Sequence, residues 1–207
     1  MPPPRFSKVL FLTNNLSVTS SLLDWLRLEE GQENVILWQE ALNPALFEDT
    51  LAGTGFLISY NYKHLIRENV LSLFLDRAIN LHISMLPWNR GTSPNLWSFI
   101  NNTPKGVTIH NIDEGLDTGD ILLQQQVFFD ESIETFESSY IKLHEAIQRL
   151  FRENWQSLKC GKINPVKQGS VHTLQETADF VSLHGISWNE RIVDVKQRLP
   201  APPRTKI

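Results

Sequence analysis

Hydrophobic positions along this chain fall into two patterns. Short apolar runs occur at residues 8–13, 35–38, 56–60 and 78–84, each set off by Asn, Gly or other polar residues. Runs of this length suit strands covered on both faces, as in a parallel sheet. Between them, apolar residues return at helical spacing. Leu22, Leu23, Trp25 and Leu26 make one face behind a candidate N-cap at Ser17, and Gly31 stops that helix. Leu65, Ile66, Val70, Leu71, Leu73 and Phe74 make a second stripe, which predicts a helix over 63–75. Gly53 and Gly55 bracket the turn before the third strand. The order β-α-β-β-α-β predicts an α/β domain on a mainly parallel sheet flanked by helices.

The second half of the chain changes character. Residues 85–94 carry two prolines and a glycine and read as turns, followed by a short helix at 95–102. Residues 106–111 alternate as a strand does, 113–120 form a loop, and 121–129 form another strand. The strongest helix signal lies at 133–158. There Tyr140, Leu143, Ile147, Leu150, Phe151, Trp155 and Leu158 recur at three- and four-residue steps before Gly161. Residues 1–165 are assigned to one α/β domain and 166–207 to a small C-terminal appendage. Within the appendage, strands are expected in 171–183 and a short helix in 188–199; the proline-rich ends, 2–4 and 200–203, read as frayed termini.

Composition narrows the class. Of 207 residues, 41% are hydrophobic and 20% charged, which is enough apolar surface for a packed core. Lys plus Arg number 19 and Asp plus Glu 23, a formal net charge of −4. A slightly acidic chain is poorly suited to neutralise nucleic-acid phosphates or to coat an anionic membrane. The single cysteine, Cys160, excludes an intramolecular disulfide and a cysteine-rich metal site, and suits a reducing compartment. No apolar run nears the ~20 residues of a spanning helix, and the opening residues lack a secretory signal, so a cytoplasmic protein is expected.

Several chemistries are argued against by what is missing. The turn after the first strand, residues 13–17, has no glycine, so a dinucleotide site there is not expected. There is neither a phosphate loop nor a Gly-x-Ser-x-Gly nucleophile elbow. His82, His110 and Asp117 do not match short metal-ligand spacings, so no metal is expected. What remains is Asn80 and His82, two apart on the fourth strand and so on one face. The 113–120 loop adds Asp113, Glu114, Asp117 and Asp120. An amide and an imidazole can steady an oxyanion, while an acid orients the ring and controls the proton. No serine or cysteine nucleophile stands out, which favours direct attack by a substrate amine. His110 reads as a structural or supporting residue on its alternating strand.

Two segments of the chain resemble a known family. Asn80, His82, Ser84, Leu86 and Pro87, followed by Asp113, Glu114, Asp117 and Gly119, are similar to the Asn-x-His-x-Ser-x-Leu-Pro and Asp-Glu-x-x-Asp-x-Gly pattern of folate-dependent formyltransferases. One position departs: Ile83 stands where that family usually has proline, and no polar group is lost by it. The resemblance spans residues 7–165. It implies a Rossmann-like formyltransferase fold, N10-formyltetrahydrofolate as co-substrate, no metal, and a primary amine as acceptor. It carries catalytic roles to Asn80 and His82, on the oxyanion, and to Asp117, which would orient His82 and relay the amine proton toward the folate nitrogen. It also implies that the pterin lies between 60–66 and 112–117, with Tyr62, His64, Ile66, Asp113 and Glu114 as binding candidates.

Within that family, residues 86–91 and 103–110 look most like the sugar-nucleotide N-formyltransferases. The implied acceptor is a dTDP- or GDP-linked 4-amino-4,6-dideoxy sugar, held by Asn14, Trp88, Asn89 and Arg90, with the Arg90 fork on the diphosphate. A homodimer through C-terminal elements is implied as well. Glycinamide ribonucleotide is disfavoured by the missing glycine at 14–16, and an aminoacylated tRNA by the acidic charge and the short stretch after Pro165. A non-catalytic folate binder and a formyl-folate hydrolase remain alternatives.

Overall fold

The protein is described here by a computed structural model covering residues 8–169 and 177–199. Six strands form one sheet: β1 (Lys8–Leu12), β2 (Val35–Trp38), β3 (Thr54–Ser59), β4 (Ala78–His82), β5 (Gly106–Asn111) and β6 (Ile121–Gln126). Their spatial order is β2-β1-β3-β4-β5-β6. β1 pairs in parallel with β2 and β3, and β3 with β4. β5 and β6 then add an antiparallel edge. The helices are α1 (Leu16–Glu30), the single turn α2 (Glu68–Leu71), α3 (Pro94–Ile100), α4 (Phe136–Lys159), α5 (Thr177–His184) and α6 (Ile192–Arg198). This is the mainly parallel, helix-flanked sheet that the apolar runs predict.

Alternation along the strands explains both layers. Val9, Phe11, Phe56 and Ile58 face α1 and α4, where they meet Leu22, Leu26, Ile147 and Trp155. Leu10, Leu12 and Leu57 face the opposite side and pack on Leu51, Val70, Leu71 and Phe74. Burial on both faces is why the runs read as unbroken. Helix α4 starts at a capping box, in which Thr135 Oγ1 accepts from the Ser138 N–H and Ser138 Oγ accepts from the Thr135 N–H. A third cluster joins α3 to α6 through Leu96, Phe99, Ile192 and Val195, with Phe136 between them. This packing brings residues 186–199 to the start of α4, where the Glu137 N–H donates to the Trp188 carbonyl at 2.9 Å.

Four local expectations need correction. The helix over 63–75 shrinks to α2. Arg67 is extended, and residues 61–63 are tied down by Asn14, so the chain cannot enter the helix earlier. Val70, Leu71 and Phe74 still bury the expected face, whereas Leu65 and Leu73 are exposed. The N-cap of α1 is Asn15, with Ser17 inside the helix and its hydroxyl donating to Asn15 Oδ1. Strand β6 stops at Gln126, leaving Phe128 exposed. Residues 177–184 are helical rather than extended; the rest of the strand expectation, at 171–176, and the proline-rich ends lie outside the described residues.

Candidate active site

A cleft of about 820 Å³ opens at the carboxyl ends of β1, β3 and β4. Open α/β sheets bind ligands there, because loops diverge where the strand order reverses. In this sheet β2 and β3 flank β1, so the crevice lies beside Asn14 and Asn61. Asn14 shapes the crevice. Its N–H donates to the Asn61 carbonyl at 2.9 Å, its Oδ1 accepts from the Lys63 N–H at 2.9 Å, and its Nδ2 donates to the Gln39 carbonyl at 2.8 Å. Tyr62 adds a further tie, its hydroxyl donating to the Glu40 carbonyl at 2.5 Å.

The polar cluster sits where the sheet changes direction, between β4 and β5. Asn80 and His82 both line the cleft, as their two-residue spacing requires. Asn80 Nδ2 donates to Asp117 Oδ1 at 3.0 Å and lies 3.2 Å from His110 Nε2. His110 Nδ1 lies 2.7 Å from the Asn111 carbonyl, which can only accept, so Nδ1 carries a proton and Nε2 is the ring atom turned toward Asn80 and Asp117. The Gly91 N–H donates to Asp117 Oδ2 at 2.9 Å. His82 Nε2 faces the Asn89 carbonyl at 3.2 Å, which places Nδ1 toward Asp117 Oδ2, 3.6 Å away.

Electrostatics follows from this geometry. Burial pushes the His82 pKa down, with Asp117 opposing and His110 adding to the fall, so the ring is neutral near pH 7. Burial acts to raise the Asp117 pKa, but His82, His110 and the Gly91 N–H outweigh it and hold the carboxyl well below the usual range. Asp117 has a left-handed backbone, φ 54°, as do Asn61 and Ser93 on the same cleft. The loop can form this way because Gly119 packs on β5. A Cβ there would lie 1.8 Å from the Asn111 carbonyl oxygen.

The candidates separate into two groups. Asn80, His82, Asp117, Asn14, Tyr62, His64, Ile66 and Asp113 line the cleft. Glu114, Trp88, Asn89 and Arg90 do not. Glu114 is exposed to solvent. Residues 86–90 are stitched to β5 and β6 instead, with the Leu86 N–H on Thr108 Oγ1 and Gln124 Nε2 on the Leu86 carbonyl. Asn89 is buried and donates to Thr103 Oγ1. Arg90 is 6% exposed, and its fork holds Gln168 Oε1 and the Gly169 carbonyl, so a diphosphate contact is not available to it in this arrangement.

Sequence reasoning missed Tyr140 and Trp188 on the cleft wall, whereas His110 sits beside Asn80 and Asp117 in the supporting position expected of it. Tyr140 reads as part of the apolar stripe of its helix, and Trp188 as the first residue of the short helix expected at 188–199, which in the structure begins only at Ile192. Among the described residues, no group of three or more His, Cys, Asp or Glu is arranged to hold a metal, and no helix is long and apolar enough to cross a membrane.

Fold and cleft together define an α/β protein with an amide, an acid and two imidazoles gathered at the mouth of its sheet. Residues 43–153 match the formyl transferase family, and the chain belongs to it. It is similar to PseJ of Anoxybacillus kamchatkensis, a formyltransferase whose crystal structure contains UDP-4,6-dideoxy-4-formamido-L-AltNAc and tetrahydrofolate. The two share 36% identity and a TM-score of 0.79, over 91% of this chain and 97% of that one. Methionyl-tRNA formyltransferase of Lachnospira eligens is 37% identical over 108 residues, 52% of this chain and 34% of its own length. The Clostridium botulinum enzyme of the same name is 33% identical over 145 residues, 68% of this chain and 45% of its own. The chain thus spans less than half the length of these curated relatives.

Proposed function

We propose that this protein moves a formyl group from N10-formyltetrahydrofolate to the amine of a nucleotide-linked 4-amino-4,6-dideoxy sugar. The observation that carries the reading is the convergence of Asn80, His82 and Asp117 on one cleft in a chain of this family. The likeness to PseJ along nearly all of both chains favours a sugar acceptor and makes UDP the first nucleotide to assay. The cleft volume suits two small substrates.

The residues present fit a folate. Leu65 and Ile66 on one loop, and Ile112 and Leu116 on the other, offer apolar surface for a flat ring. His64 pairs edge-on with Tyr62 at 5.2 Å, and its buried Nε2 has no partner among the described residues. Such an atom is well placed for a polar edge of a ligand. The acceptor fits against Tyr140 and Trp188, whose rings meet edge-on at 6.0 Å, with Glu137 beside them for sugar hydroxyls.

When bound, the folate supplies the formyl carbon and the leaving nitrogen. One bond forms between that carbon and the acceptor amine, one breaks at N10, and one proton passes from amine to N10. The Asn80 amide holds the developing oxyanion by releasing one of its two hydrogen-bond partners, Asp117 or His110. Apo-state hydrogen bonds of this kind tighten onto substrate only in the complex. His82 can take the amine proton at Nδ1, where the Asp117 carboxylate waits, and return it as N10 leaves. Proximity of the two bound substrates does the rest.

The test is an incubation with N10-formyltetrahydrofolate and UDP-, dTDP- and GDP-linked 4-amino sugars, following tetrahydrofolate release and the mass of the sugar. Release that depends on a sugar, with formamido-sugar formed, is expected. Sugar-independent release would instead identify a hydrolase, and binding without release a folate-binding protein.

A further inference from the structure

We propose that Gln168 and Arg90 are a positioning pair that holds Asp117 in its left-handed conformation and thereby sets the carboxylate against Asn80, His82 and Gly91. The inference rests on the transferase reading above for what Asp117 does, but not for where it is held.

Gln168 uses every polar group of its side chain on this task. Its Nε2 donates to the Asp117 carbonyl at 3.0 Å and to the Gly119 carbonyl at 2.5 Å. Its Oε1 accepts from Arg90 Nε at 3.1 Å and Arg90 Nη2 at 2.8 Å, and Arg90 Nη2 also reaches the Gly169 carbonyl at 3.1 Å. The planar fork of Arg90 fixes the Gln168 amide in one orientation, since Oε1 must face the guanidinium. That leaves the NH₂ group facing the two carbonyls that bracket Thr118. The 166–169 segment is itself anchored by a two-way backbone bridge between Val166 and Ile121, each N–H to the other's carbonyl at 2.8 Å.

A left-handed aspartate is costly unless its surroundings over-determine it. At Asp117 the restraints come from four directions: Asn80 and Gly91 on the carboxylate, Gln168 on the carbonyl, and the β5 contact at Gly119. Only Gln168 acts from outside residues 43–153, the part that matches the family. The adjacency in sequence is also economical. Arg90 grips Gln168, and the next residue, Gly91, supplies the N–H to Asp117 Oδ2. Backbone and side chain of one aspartate are therefore clamped by one dipeptide and its partner.

Two variants separate positioning from simple tethering of the C-terminal segment. Gln168→Met keeps the shape and removes all hydrogen bonds. Gln168→Glu keeps an oxygen for Arg90 but removes both donors to the loop. If Asp117 is being positioned, both variants lose about 10- to 100-fold in kcat, with acceptor KM within twofold. Amide hydrogen exchange in 113–120 rises in both, at an unchanged thermal midpoint. Full activity and unchanged exchange in Gln168→Glu would overturn the proposal, because tethering alone would then suffice. Should the Met variant fail to fold, the Glu variant decides, since it retains the Arg90 contact. If the wild type shows no amine-dependent release of tetrahydrofolate, the transferase reading falls, while the exchange comparison still decides how Asp117 is held.

Discussion

Asn80 and Asp117 lie 37 positions apart in the chain, and the amide of one donates to the carboxylate of the other at 3.0 Å. With the Gly91 N–H on the second oxygen, the acid is held by donors that carry no charge. These two contacts add to the histidines that hold its carboxyl in the ionised form. The price of this arrangement is that the Asn80 amide is fully engaged before any substrate arrives, by Asp117 on one side and His110 on the other.

In the proposed reaction Asn80 is an oxyanion donor, and it is also a hydrogen-bond partner of Asp117. Asn80→Ala is expected to lower kcat by about 10²–10³, with folate binding retained. Steady-state kinetics with saturating co-substrate checks this, and turnover within threefold of wild type would argue against an Asn80 role in the chemistry.

The pH profile follows from the neutral imidazole. Because burial holds the His82 pKa below 6.5, the ring is free at neutral pH to take the amine proton in the proposed reaction, and the acid limb of kcat is then expected below pH 6.5. Asp117 works to raise that pKa, so Asp117→Asn should move the acid limb to lower pH as well as slow the reaction. A limb that moved upward would contradict the pairing of these two residues.

Stability has its own titrating group away from the chemistry. His144 is buried in contact with Tyr60, its Nδ1 2.5 Å from the tyrosine oxygen, and burial pushes its pKa down to about 4. A histidine with a depressed folded-state pKa stabilises the fold fully above the unfolded-state value near 6.5. That contribution falls as pH drops from about 6.5 to about 4, because the unfolded chain binds the proton first. Urea unfolding at several pH values should show this slope, and His144→Gln should flatten it.

Gly119 is a steric requirement of the Asp117 loop. A Cβ there meets the Asn111 carbonyl at 1.8 Å, so Gly119→Ala should cost about 1–3 kcal/mol and reduce kcat by displacing Asp117. Gly161, with φ 61° and open space around it, is the control. Gly161→Ala should cost about 1–2 kcal/mol for the left-handed backbone alone and leave kcat unchanged.

Trp188 tests the proposed acceptor side of the cleft. Loss of an aromatic face under a base or sugar costs about 1–3 kcal/mol, so Trp188→Ala should raise the acceptor KM by roughly 5- to 150-fold while the affinity for folinic acid is unchanged. An effect on the folate alone would reverse the assignment of the two sides.

Much of this protein is determined by its sequence taken alone. Four apolar runs specify strands buried on both faces, and the 133–158 periodicity specifies the long helix behind them, because burial imposes a local repeat on each element. The spacing of Asn80 and His82 likewise places both on one face without reference to the rest of the chain. Other features were decided by tertiary structure. Arg90 looks like a phosphate ligand beside its motif, yet it faces Gln168, 78 positions away. The 63–75 stripe buries Ile66, Val70, Leu71 and Phe74 but is helical only at Glu68–Leu71, since Asn14 ties the preceding loop to a different strand end. Tyr140 lines the cleft from α4, and Trp188 joins it because the segment before α6 docks on the start of α4. Periodicity records which side of an element is buried. It holds no record of which distant backbone carbonyl a side chain will meet, and that is what decides where a polar residue spends its hydrogen bonds.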